Sequence, residues 1–172
     1  MNKLNKSGFN ILFTCTGNIC RSPSAEAILK KLLPADFKND CTIESAGTGA
    51  MDGLPATLFA IAAADEHNVC LKHHRSQSIN ENMLERTDLI IALAENHRDY
   101  FQRYFLRYMD KIFLLKSFDY PDKEGNISVA DPIGENLEVY RASFIEIEAE
   151  IKRILPAVIR LIEEYSFIKK VK

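Results

Sequence analysis

Phe9–Asn10–Ile11–Leu12–Phe13–Thr14 runs without a break into Cys15–Thr16–Gly17–Asn18–Ile19–Cys20–Arg21–Ser22–Pro23, and the junction between these two runs decides the fold. The first is short, apolar and uncharged, the pattern of a strand buried on both faces. After the second, Ala25, Ile28, Leu29 and Leu32 recur at helical spacing, with Ser22 a capping type and Pro23 suited to a first helical position. Strand, loop and helix in immediate succession make the opening unit of a parallel α/β sheet.

Working outward, the unit recurs. Cys41–Thr42–Ile43–Glu44–Ser45 reads as a strand, and a helix opens at Thr57–Leu58–Phe59–Ala60–Ile61–Ala62 and runs towards His67. Asp88–Leu93 and Ile112–Leu115 read as two more buried strands, flanking a helix over about 95–107. From Leu137 the apolar residues fall three and four apart as far as Tyr165, which predicts a long amphipathic helix kinked at Pro156. The expected fold class is therefore α/β: a central parallel four-stranded sheet with helices on both faces, a flavodoxin-like or Rossmann-like three-layer sandwich. Residues 1–172 are read as one domain, with a core over about 8–166 and short frayed termini. The loops 119–126 and 131–134 belong at the carboxyl ends of strands, where such folds bind ligands.

Composition narrows the function. With 47% hydrophobic and 27% charged residues and a net charge of −2, nothing points to a nucleic-acid or membrane partner. No apolar run approaches a bilayer-spanning length and MNKLNKSG is no signal peptide, so a cytoplasmic location is expected. Cys15, Cys20, Cys41 and Cys70 are then expected to be reduced. Cys41 and Cys70 read as buried, and neither stands at a metal-ligand spacing from the histidines.

The chemistry lies in the loop. From Cys15 through Arg21 the chain is long enough to fold into a cup of converging backbone N–H groups, closed by a helix whose positive dipole end faces it. Such a cup binds a dianion. Gly17 and Asn18 tolerate the positive φ that the reversal requires. Arg21 adds a planar fork for two phosphate oxygens. The same positive field favours a thiolate at Cys15, the form of a cysteine that attacks phosphorus.

At these residues the chain resembles the low-molecular-weight protein tyrosine phosphatases, whose signature near the N-terminus reads Cys-x-Gly-Asn-x-Cys-Arg-Ser-Pro. Every fixed position is matched. The resemblance continues through Glu44–Ser45–Ala46–Gly47–Thr48, His74–Arg75, Asp88–Leu93 and Asp131–Pro132. Classical and dual-specificity phosphatases carry a His before the Cys, where Thr14 stands here. The resemblance implies hydrolysis of phosphomonoesters through a phospho-cysteine, with no metal or other cofactor and a phosphorylated protein, phosphotyrosine favoured, as the partner. It makes Cys15 the nucleophile and Arg21 the phosphate clamp, with Thr16, Gly17, Asn18, Ile19 and Cys20 completing the cradle. It makes Ser22 the hydroxyl that donates to the thiolate, within a supporting network of Asn18, Ser22, Ser45 and His74. Read without the family, His74 is a surface histidine beside His73.

A leaving oxygen needs a proton, and Asp131, in an Asp-Pro before the last helix, matches the family's general acid. Asp119 and Asp122 compete as loop carboxylates. Cys20 stands where oxidised Cys15 can be trapped as a disulfide. Met51 and Ile133–Gly134 depart from the aromatic pocket walls of many relatives. The arginine-directed branch of the family shares the Asp-Pro-x-Gly pattern of Asp131–Gly134 but has Thr where Ile19 stands, so a phosphoarginine substrate is the alternative reading. Arsenate reductases of this fold need further cysteines around 80–90, and only Cys70 is near. Retention of Cys15, Arg21 and Asp131 argues against a phosphate-binding module without turnover.

Overall fold

The structure, a computed structural model, describes residues 8–120 and 125–171. Asp122 and the first seven residues lie outside the described residues, as does Lys172. Four strands, β1 (Phe9–Cys15), β2 (Cys41–Gly47), β3 (Leu89–Ala92) and β4 (Ile112–Leu114), form one parallel sheet in the order β2-β1-β3-β4. The chain leaves β1 towards β2 on one side and returns to β3 on the other. A crevice therefore opens beyond the carboxyl end of β1, the usual ligand position of such sheets. This is the flavodoxin-like arrangement expected from the sequence.

Alternation along β1 sorts the two layers. Ile11 and Phe13 face α1 (Arg21–Leu32), α2 (Leu58–Glu66) and α5 (Leu137–Val171), meeting Ile28, Leu29, Phe144, Ile147 and Ile151. Leu12 and Ile90 face α3 (Glu81–Arg86) and α4 (Glu95–Tyr104), meeting Met83, Leu84 and Phe101. Ala60, Ala63 and Ala64 let α2 lie close in the first layer. Thr57, expected to begin that helix, caps it instead, its hydroxyl accepting from Ala60 N at 3.3 Å.

Several expectations are corrected in detail. α1 begins at Arg21, with Cys20 at the cap position, so Ser22 and Pro23 lie inside the first turn and Ser22 is no cap. The helix expected over 95–107 ends at Tyr104, where Phe105 takes φ −139° and ψ 43°, and a 3-10 segment, Leu106–Lys111, follows. α3 was not expected, having only the apolar pair Met83–Leu84 as a pattern. α5 runs through Pro156 and past residue 166 to Val171. Cys70 is exposed and Cys41 half-buried, where both were read as buried. Burial still pushes the Cys41 thiol up to about 12. Among the described residues no helix is long and apolar enough to cross a membrane.

Candidate active site

β1 delivers Cys15 to the floor of the crevice, and residues 16–20 turn back over it before α1 begins. The reversal is made by Asn18, at φ 53°, whereas Gly17 does not use the positive φ expected of it. Asn18 is fully buried and held on several sides. Its Oδ1 accepts from Gln77 N at 2.9 Å, its Nδ2 donates to Ser22 Oγ and Ser45 Oγ at 2.9 Å each, and His74 Nε2 donates to its carbonyl at 2.6 Å. The network expected of Asn18, Ser22, Ser45 and His74 is thus assembled around the one left-handed residue of the loop. Such a conformation persists only where its surroundings over-determine it.

The network also has a direction. Ser45 gives its hydrogen to Glu26 Oε2 at 2.5 Å and receives one from Asn18. Ser22 likewise receives one from Asn18, so its own hydrogen is free for Cys15 Sγ, 3.0 Å away. Asn18 N–H donates to the same sulfur at 3.3 Å. Two hydrogen-bond donors thus converge on the one sulfur.

The second wall of the loop is β2. Thr48 N donates to the Cys15 carbonyl at 2.9 Å and Gly49 N to that of Thr16 at 3.0 Å. A Cβ on Gly47 would stand 2.3 Å from Thr16 O, so this position admits only glycine at the present spacing.

Arg21 closes the cup. It donates from one terminal nitrogen to the Val129 carbonyl at 3.1 Å and from the other to Asp131 Oδ2 at 2.5 Å. Its Nε is buried with no partner among the described residues. The cup measures about 160 Å³ and is lined by Cys15, Thr16, Gly17, Ile19, Cys20, Arg21, Asp131 and Ile133. That is below the roughly 300 Å³ where pockets for drug-sized ligands begin, and suits an anionic head group and the first atoms attached to it. Of the cradle residues expected from sequence, Ser22 turns its hydroxyl to the sulfur, and Asn18 sends only its backbone N–H there while its side chain bonds Ser22, Ser45 and Gln77. The others face the cup. Met51 is exposed outside this lining, so the pocket wall is Ile19 and Ile133.

Asp131 lines the same cup as Cys15, with Ile133 N donating to its Oδ1 at 3.2 Å. Its competitor Asp119 is turned to Arg160 on α5 at 3.2 Å, away from the cup lining. Cys20, also in the lining, is 6% exposed, and burial pushes its thiol up. Thr57 Oγ1 and the Tyr140 hydroxyl lie 3.4 and 3.7 Å from its sulfur. Among the described residues no group of His, Cys, Asp or Glu is arranged to hold a metal.

Glu26, Gln77, Val129 and His97 all meet the site without having been singled out in the sequence. The Val129 carbonyl has no side-chain signature. His97, third residue of α4, lies with Nε2 3.1 Å from Thr16 Oγ1, and only its place just beyond β3 hinted at a role.

A buried cysteine under converging donors, with an arginine fork and a carboxylate in the same cup, at the carboxyl end of the first strand of a parallel sheet, defines a class: phosphatases that hydrolyse phosphomonoesters. Comparison with known proteins agrees. The family model for low molecular weight phosphotyrosine protein phosphatases matches residues 10–164, and the chain belongs to this family. It is 34% identical over 145 residues to a protein-arginine-phosphatase of Bacillus subtilis (strain 168), covering 84% of this chain and 93% of that one. It is 30% identical over 144 residues to the low molecular weight protein-tyrosine-phosphatase Wzb of Escherichia coli (strain K12), covering 84% and 91%. Among solved structures, the YwlE arginine phosphatase of Geobacillus stearothermophilus superposes with a TM-score of 0.80 at 34% identity, over 91% of this chain and 96% of that one.

Proposed function

We propose that the chain removes the phosphoryl group of phosphotyrosine in proteins, with Cys15 as nucleophile, Arg21 as phosphate clamp and Asp131 as general acid and base. The observation that carries this reading is the convergence of Ser22 O–H and Asn18 N–H on the Cys15 sulfur, in a cup whose lining also holds Arg21 and Asp131. The Cys15 thiolate attacks phosphorus and the ester P–O bond breaks, its electron pair leaving on the aryl oxygen. Asp131, freed from Arg21 as the phosphoryl oxygens take the fork and acting in its protonated form, gives that oxygen its proton. Water then attacks the phospho-cysteine, Asp131 takes a proton from it, and phosphate leaves with the thiolate restored. Positive charge comes from loop amides and Arg21, so the reaction asks for no cation. The four cysteines are unpaired, which fits action in the reducing cytoplasm.

The substrate preference rests on Ile19 and Ile133, which offer apolar walls to a ring. Ring burial against Ile19 contributes on the order of 1 kcal/mol at about 25 cal/mol per Å². A guanidino group would bring several N–H donors and find Asp131 as the one carboxylate of the lining among the described residues. Phosphoarginine is the second reading, favoured by the arginine phosphatases among the relatives and by the shared Asp-Pro-x-Gly pattern. Specificity constants for phosphotyrosine, phosphoserine and phosphoarginine peptides separate the two. Phosphotyrosine is expected to lead, and Ile19→Thr to move the ratio towards phosphoarginine about tenfold, or about 1.4 kcal/mol. A preference for phosphoarginine in the unmodified protein would show that Ile19 does not set the choice.

A further inference from the structure

His97 is a buried imidazole that the steps above leave idle. It is fully enclosed, at 0% exposure, where α4 begins beyond the carboxyl end of β3. The β1–β3 pairing, with Leu93 N on the Thr14 carbonyl at 3.0 Å, sets this segment beside the loop. One ring nitrogen, Nε2, is 3.1 Å from Thr16 Oγ1, and the other, Nδ1, has no partner among the described residues. Burial first and the Arg21 cation second push its pKa down to about 3, so the ring is neutral. A neutral imidazole has one donor and one acceptor, and the hydroxyl it meets has one hydrogen. Two arrangements follow. If Nε2 accepts, the hydrogen of Thr16 is spent on the ring, an oxygen lone pair faces the cup, and Nδ1–H is a buried donor with no acceptor. If Nε2 donates, the Thr16 hydrogen is released towards the cup, where Thr16 is already part of the lining. A dianion in the cup is repelled by the first arrangement and held by the second, so its binding selects the tautomer with hydrogen on Nε2.

We propose that His97 is a positioning residue of the phosphoryl pocket: its Nε2–H donates to Thr16 Oγ1 and turns the Thr16 hydroxyl hydrogen onto a phosphoryl oxygen. The pocket then holds the phosphoryl group with a side-chain donor besides the loop amides and the Arg21 fork. This rests on the phosphatase reading and is independent of the choice between phosphotyrosine and phosphoarginine.

The test is a double-substitution cycle read by competitive inhibition with inorganic phosphate and by KM for p-nitrophenyl phosphate, with thermal melts run alongside. Thr16→Val and His97→Leu are each expected to raise the phosphate inhibition constant about tenfold, the scale of a hydrogen bond to a charged acceptor. The pair together is expected to do no more than either alone, because both remove one interaction. Thr16→Ser is expected to bind phosphate as the unmodified protein does, and His97→Gln, whose amide is a donor, to recover most of the loss. Losses that multiply to about a hundredfold in the pair overturn the proposal, as does a His97→Leu protein that melts lower with its phosphate affinity unchanged. Should His97→Leu not fold, equal phosphate affinity of Thr16→Val and Thr16→Ser overturns it alone. An unmodified protein that neither turns over the aryl phosphate nor binds phosphate would instead overturn the phosphatase reading, and this inference with it.

Discussion

Gly47→Ala tests whether the shape of the phosphate loop is set by its backing strand. The new Cβ would stand 2.3 Å from Thr16 O, 2.8 Å from the Ala50 Cβ and 3.1 Å from Asn18 N. Non-bonded heavy atoms rest at about 3.5 Å or beyond, so the carbonyl must retreat by roughly 1 Å. Two of the three neighbours are loop backbone and cannot swing aside as a side chain can. Nor can Gly47 withdraw freely, since its N–H donates to Gln77 O at 2.9 Å and its carbonyl accepts from Ile79 N at 3.1 Å. Overpacking of this kind costs about 1–3 kcal/mol of stability. A shift of about 1 Å in groups that hold the reacting atoms costs on the order of 10²-fold in rate. Urea unfolding, kcat/KM on p-nitrophenyl phosphate and the phosphate inhibition constant measure the three consequences together. Gly49→Ala is the control, because its Cβ would meet only Thr16 Cγ2, at an ordinary 3.8 Å. A Gly47→Ala protein within threefold of the unmodified one in activity and phosphate affinity would refute the reasoning.

Asp131→Asn is expected to slow alkyl and unactivated aryl phosphates about 10²–10⁴-fold and activated aryl phosphates far less, as their oxygens leave without a proton; equal losses would give Asp131 a structural role only. Activity on p-nitrophenyl phosphate is expected to survive chelator, and loss restored by a divalent cation would contradict the metal-free mechanism. His97 gives a pH dependence of stability. Its folded pKa, about 3, lies below the ordinary 6.5, so between these values the unfolded chain binds the extra proton and stability falls as pH falls. From pH 7.5 to 5 this group should remove about 2 kcal/mol, and urea unfolding of His97→Gln should show a curve flatter by that amount. Parallel curves would mean that the ring is not held neutral.

What was legible in the sequence was what is contiguous in it. Strand, cup and helix lie within residues 9–32, and their apolar period, reversal residue and cysteine could be read in one pass. Groups that meet across the fold could not. Arg21 meets the Val129 carbonyl and Asp131 across 108 and 110 residues, and a backbone carbonyl leaves no mark on a sequence. Ser22 shows how one chemistry serves two ends: a hydroxyl beside a helix start reads as a cap, yet here it is buried under the sulfur. Gly47 stood in a recognisable Ser-Ala-Gly-Thr stretch, but its reason, the carbonyl of Thr16 behind it, needed the β1–β2 register. His97 opens a polar helix in which nothing separates it from a surface histidine until the burial of that turn is known. Cys70 is exposed, against an expectation that rests on a cysteine near apolar residues being more often buried.

The central claim is a covalent phospho-cysteine at Cys15, and it is tested by quenching the unmodified protein in denaturant during turnover of p-nitrophenyl phosphate and mapping the phosphoryl group by peptide mass spectrometry. The account expects the group on the peptide that begins the cup, on Cys15, and none in a Cys15→Ala protein, which should retain less than a few per cent of the activity. A phosphoryl group on any other side chain, or undiminished turnover by Cys15→Ala, would contradict it.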